Sequence, residues 1–220
     1  MPRSWDSVSH REELARLVFM TTSLARLAPR PAQGSGLFVR LAYWFARRRL
    51  GKVPVPVGIM AHHRWILAAA GSYELALERA SAMDGRLKEL AMIKTAMMIG
   101  CRFCIDLGAA IASKNGVTED ELRDLLDHQA SPRLSARDKA VLDYAVAMTA
   151  CPMVIDEALF ATLLAELGTE AMVELTAAIA WENHRARFNH AFGAKEEGYT
   201  ERSVCLLPPR APLLDAAHVR

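Results

Sequence analysis

Arg86-Leu87-Lys88-Glu89-Leu90-Ala91-Met92-Ile93-Lys94-Thr95-Ala96-Met97-Met98-Ile99-Gly100-Cys101-Arg102-Phe103-Cys104-Ile105-Asp106 is the stretch that decides the fold. Arg86 to Ile99 reads as a helix, Gly100 punctuates it, and Cys101 to Lys114 reads as the next, stopped at Asn115-Gly116. A sulfur at the start of a helix meets unpaired amides and the positive end of the helix dipole, and both favour thiolate over thiol. Arg102 adds a cation, and Cys104, three residues on, lies on nearly the same helical face and can close a disulfide onto Cys101. Two further readings stay open. The cysteines can be small core residues, or half of a zinc site, although no second Cys-x-x-Cys or Cys/His pair has ligand spacing.

Outward from this segment the chain reads as helices. Upstream lie His10 to Ala28, Leu37 to Leu50, and one or two helices over Met60 to Met83, broken near Gly71-Ser72; Gly51 to Gly58, with Pro54 and Pro56, reads as a linker. Downstream, Thr118 with Glu121 forms a capping-box pattern, Ser135 caps Ala136 to Ala150, Asp156 to Glu166 follows, and Thr169 to Phe192 is the last long helix. No segment has a convincing strand period, since Val53-Pro54-Val55-Pro56-Val57 is interrupted by prolines. The fold class is therefore all-α. Boundaries are expected at residues 1–54 for an N-terminal helical arm, 55–200 for the main helical domain and 201–220 for a C-terminal tail.

Hydrophobic residues make up 52% of the 220 and charged residues 24%, enough for a sizeable core without staples. The net charge of +2 and the local run Arg47-Arg48-Arg49 do not describe a nucleic-acid-binding chain. No stretch has the length of a membrane span, and Met1-Pro2-Arg3-Ser4-Trp5-Asp6 does not read as a secretory leader. A reducing, cytoplasmic setting is expected, where a close cysteine pair points to redox or metal chemistry rather than to a structural framework. Cys151 and Cys205 are isolated.

The segment from Glu89, twelve residues before Cys101, through the Cys-x-x-Cys resembles the carboxymuconolactone decarboxylase superfamily, in its alkyl hydroperoxidase D-like branch. Trp181-Glu182-Asn183-His184-Arg185-Ala186-Arg187-Phe188-Asn189-His190 also resembles the closing helix of that family. The likeness spans about residues 55–200. It implies an oligomeric helical bundle with no cofactor or metal. It also implies a proton relay in which Cys104 attacks a peroxide, Cys101 is its partner and Glu89 takes the proton. A buried carboxyl has a raised pKa suited to that task; the plainer reading of Glu89 is a surface charge paired with Arg86 or Lys88.

One position departs from the pattern. The family motif continues Cys-x-x-Cys-x-x-x-His, and Gly108 stands where the His would be, beside both sulfurs and at a helix cost of roughly 1 kcal/mol. Asp106 points to the other side of the helix and is no replacement. His62, His63, His184 and His190 are auxiliary candidates, each more simply a structural or surface residue. Met92, Met97, Met98 and Trp181 read as packing.

Three functions follow. The first is a peroxidase-like thiol–disulfide oxidoreductase, an antioxidant enzyme with a small-molecule peroxide or disulfide substrate, a thiol reductant protein as partner and a homo-oligomeric state. The second is a lactone decarboxylase-type acid–base enzyme that does not need the cysteines. The third is a non-catalytic binding member whose relay is broken at Gly108.

Overall fold

Nine α-helices and one 3-10 turn, with no strand among the described residues, make up the computed structural model, which describes residues 25–200. The helix expected over His10 to Ala28 and the tail from Gly198 to Arg220 fall largely outside the described residues, as does Cys205. The chain divides into two compact units between Arg64 and Trp65.

The first unit carries α1 (Leu37–Leu50) and α2 (Val55–Met60). The Gly51–Gly58 segment, expected as linker, enters a helix because Pro56 sits in its first positions, where a missing N–H breaks no intrahelical bond. Gly58 fits against Pro29, whose Cβ would lie 2.4 Å from any Cβ added there, and its carbonyl accepts from the Arg30 amide at 3.0 Å. Tyr43 of α1 donates its hydroxyl to the Arg30 carbonyl at 2.6 Å. The arginines closing α1 lie over its aromatic rings, Arg48 above Trp44 and Arg49 above Phe45.

The second unit is built around α4 (Gly85–Ile99), which is buried at every position from Leu90 to Met97. A helix buried all round must be surrounded, and α4 packs against α5 (Arg102–Lys114), α7 (Ala136–Thr149) and α9 (Thr169–Ala191). α3 (Arg64–Arg79) is continuous through Gly71, where a break was expected. The glycine costs about 1 kcal/mol, and burial of Leu67, Ala70 and Leu77 on the same helix offsets it. α6 (Glu119–Asp124) and α8 (Glu157–Leu167) complete the set.

The caps read at Thr118 and Ser135 form: Thr118 with Glu121 and Ser135 with Asp138 make capping boxes, and two caps not singled out in the sequence, Asp84 and Asp156, start α4 and α8. Arg86 then reaches from α4 to both boxes, donating to Glu121 and, at 3.2 Å, to Asp138. Lys88 pairs with Glu174 at 2.5 Å, near the starts of α4 and α9, and Nδ1 of His190 lies 3.3 Å from the Gly100 carbonyl at their ends. The two helices therefore run parallel. One core cluster joins Leu87, Ala91, Val141, Tyr144, Leu163 and Leu175; another surrounds the cysteines. Met92 and Met97 are buried, whereas Met98 is 41% exposed.

Candidate active site

Gly100 ends α4 in the left-handed region at φ 78°, which glycine adopts without steric cost, and its amide returns to the Ala96 and Met97 carbonyls. The chain thereby turns sharply and delivers Cys101 to the N-cap of α5, where Sγ accepts the Cys104 amide at 3.2 Å. Cys101 and Cys104 form a disulfide with Cα atoms 5.3 Å apart. Cys101 is 1% exposed and Cys104 6%. The Cys104 sulfur has its own donor, Nδ2 of buried Asn189 on α9, at 3.4 Å.

The segment after α9 straps across this helix start. Arg102, expected as a cation for the thiolate, instead pairs with Glu196, its Nε 2.7 Å from Oε2. Phe103 meets Tyr199 edge to face at 6.1 Å. Asp106 accepts from the amides of Glu197 (2.9 Å), Tyr199 (3.0 Å) and Thr200 (3.1 Å), and from the Thr200 hydroxyl. Burial alone would raise the Asp106 pKa, but these donors together hold it below the usual carboxylate range. Its carboxylate is occupied in anchoring the strap.

Position 108 is tight. A Cβ on Gly108 would lie 3.0 Å from Cγ1 of Ile93, so a side chain there requires the Ile93 side chain to give way. Glu89 is half-buried and makes no hydrogen bond to either sulfur among the described residues. Since Ile93 meets Gly108, one turn of α4 and one turn of α5 separate Glu89 from Cys104. Its pKa is raised, chiefly by burial and further by Glu74, against the pull of Arg185 and Lys88. Neither expected surface partner holds it: Arg86 and Lys88 are engaged elsewhere.

Glu89 belongs to a carboxylate cluster with Glu74 and Glu182. Glu182 is 1% exposed, one of its oxygens accepts from Arg185, and the other, Oε1, has no hydrogen-bond partner among the described residues. Burial pushes its pKa up to about 7 despite Arg185, with Glu74 and Glu89 adding repulsion. Arg185 also binds Glu74 at 3.1 Å, and Trp181 donates to Glu74 at 2.8 Å while stacking on Tyr73 and His184.

The histidine candidates belong to different elements. His62 and His63 belong to the first unit, His62 with Nε2 3.0 Å from the Ala28 carbonyl. His184 is exposed on α9 with its ring on Trp181. No group of three potential His, Cys, Asp or Glu metal ligands gathers among the described residues, and no described helix is long and apolar enough to cross a membrane.

Asn189 and Glu182 were not singled out by sequence reasoning, yet a signal existed. Leu175, Ala178, Ile179, Glu182, Ala186 and Asn189 form one buried helical stripe, and two of its members are polar. Polar groups on a buried stripe mark a place where a partner or chemistry is required.

An all-helical bundle with a Cys-x-x-Cys disulfide at a helix start defines the class, and the chain belongs to the carboxymuconolactone decarboxylase family, whose model matches residues 64–147. It is 30% identical over 175 residues to the uncharacterised protein YnjA of Escherichia coli K12, covering 79% of this chain and 93% of that one. Its fold is shared with an alkylhydroperoxidase AhpD core, an uncharacterised peroxidase-related protein from Ralstonia eutropha JMP134 (TM-score 0.71, 19% identity, 80% of this chain and 95% of that one). The debrominase Bmp8 also shares the fold (TM-score 0.69, 20% identity, 82% and 95%).

Proposed function

We propose that the protein is a thiol–disulfide oxidoreductase that reduces small hydroperoxides through Cys101 and Cys104. The observation that carries this reading is the disulfide at the α5 start with one hydrogen-bond donor on each sulfur. In the reduced state the Cys104 thiolate, the less buried of the two, attacks the terminal peroxide oxygen. The O–O bond breaks, the alcohol leaves with one proton, and Cys104 becomes a sulfenic acid. Cys101 then attacks that sulfur, closing the disulfide and releasing water. Two thiols are oxidised for each hydroperoxide reduced.

Glu89 is the proposed proton acceptor. Its raised pKa suits the task, and the turns between it and Cys104 call for a water or a second carboxyl to carry the proton. A thiol reductant protein from a reducing, cytoplasmic pool returns two electrons to the pair, and assembly as a homo-oligomer belongs to the same proposal. The test is to titrate reduced protein with an alkyl hydroperoxide and count free thiols. Loss of two thiols per hydroperoxide, abolished by Cys104→Ser, supports the reading; full turnover by that variant refutes it.

A second reading, an acid–base enzyme of the decarboxylase type, is favoured by the cluster of Glu74, Glu89 and Arg185 around buried Glu182. Activity on a carboxylated lactone that survives replacement of both cysteines by Ala would select it.

A further inference from the structure

We infer that Asn189 is a catalytic residue that holds Cys104 as the reactive thiolate, taking over part of the work that a base at position 108 would do. The inference rests on the thiol–disulfide reading above only in requiring that the pair cycles between dithiol and disulfide.

The geometry is specific to one sulfur. Cys101 Sγ receives a backbone amide, that of Cys104, at 3.2 Å, whereas the donor on Cys104 Sγ among the described residues is the Asn189 side chain at 3.4 Å. Asn189 is 4% exposed, and its carbonyl accepts the Ala194 amide at 2.9 Å, which ties its backbone to the turn that closes α9. Burial keeps this amide from water, and its N–H is aimed at the sulfur in the disulfide form.

A thiolate accepts a hydrogen bond far better than a disulfide sulfur or a thiol does, so the contact strengthens on reduction. It therefore lowers the Cys104 pKa and favours the dithiol form. The other polar side chains near the α5 start have partners of their own: Arg102 pairs with Glu196, Asp106 accepts from the strap amides, and the His190 ring lies against the Gly100 carbonyl. The neutral amide of Asn189 adds to the positive end of α5 a side-chain donor aimed at that sulfur. A donor that favours the thiolate leaves less for a base at position 108 to do, while Glu89 remains the group that receives the proton.

The test uses the full chain with Cys101, Cys151 and Cys205 replaced by Ser, so that Cys104 is the titrating thiol, followed by its thiolate absorbance against pH. Asn189→Leu removes the donor in nearly the same volume and is expected to raise the Cys104 pKa by about one to two units. Asn189→Asp keeps the shape, replaces the donor with an acceptor, and is expected to raise it at least as far. In the disulfide-competent chain the same variants shift the glutathione equilibrium toward disulfide by roughly tenfold, about 30 mV. Unchanged Cys104 titration in Asn189→Asp, with helical content retained, overturns the inference even if Asn189→Leu fails to fold. Hydroperoxide reduction by the unmodified chain is scored separately. If it is absent while the pKa shift is present, the peroxidase reading falls and the role of Asn189 stands; if it is present without the shift, the reverse holds.

Discussion

Replacing Gly108 with Ala tests whether Ile93 occupies the place of the missing histidine. An alanine in mid-helix gains about 1 kcal/mol over glycine. Its Cβ would meet Ile93 Cγ1 at 3.0 Å and Cδ1 at 3.7 Å, and crowding a packed core costs roughly 1–3 kcal/mol. Gly108→Ala alone should therefore be neutral or destabilising by up to about 2 kcal/mol. Ile93→Ala alone, at a side chain 1% exposed, should cost about 2–5 kcal/mol. In the Ile93→Ala background the crowding is gone, and Gly108→Ala should stabilise by about 1 kcal/mol. The coupling, about 1–3 kcal/mol, is read from guanidinium denaturation of the four oxidised proteins. Additivity within roughly 0.5 kcal/mol would refute the argument. It follows that Gly108→His, the direct way to restore the motif, should be made with Ile93→Ala; otherwise lost packing masks any gain in peroxide turnover.

Glu182→Gln should flatten the dependence of stability on pH. The folded pKa of about 7 lies above the ordinary 4.5, so the stability this group contributes is full below pH 4.5 and is lost as pH rises through 7. The native chain should lose on the order of 3 kcal/mol relative to the Gln variant between pH 5 and pH 8, and parallel unfolding curves over that range would contradict the assignment. Asp106→Asn should weaken the strap, costing about 1.5–3 kcal/mol and speeding disulfide reduction by dithiothreitol several-fold; unchanged reduction kinetics would show that the strap does not govern access. Because the Asp106 pKa is depressed, its contribution is present above the ordinary carboxylate value and is lost as pH falls through the lower folded one. Reduction by a phosphine, which needs no thiolate, should therefore accelerate below about pH 4.

The helices were legible because their ends are encoded locally. Thr118 with Glu121, Ser135, Asp156 and Gly100 each satisfy backbone groups within a few residues, and the structure uses them as caps. Gly71 and Pro56 misled for different reasons: the glycine carries a modest local cost that burial elsewhere on its helix outweighs, and the proline sits so early in its helix that it breaks no hydrogen bond. Cys101 at an N-cap was readable from the preceding glycine. What Asp106 does was not readable, since its partners lie at residues 197–200. The burial of Glu182 and the Asn189 contact depend on which face of α9 meets α4 and α5, a long-range choice. The diversion of Arg102 to Glu196 is equally non-local.

The strap also has a place in time. Translation runs from the N-terminus, so Cys104 leaves the ribosome about ninety residues ahead of Glu196 and Thr200, an interval of roughly 5–20 s at ordinary synthesis rates. During that interval the sulfurs meet the cell's small thiols without their cover. The order of synthesis thus exposes the pair before the residues that strap the α5 start have been made.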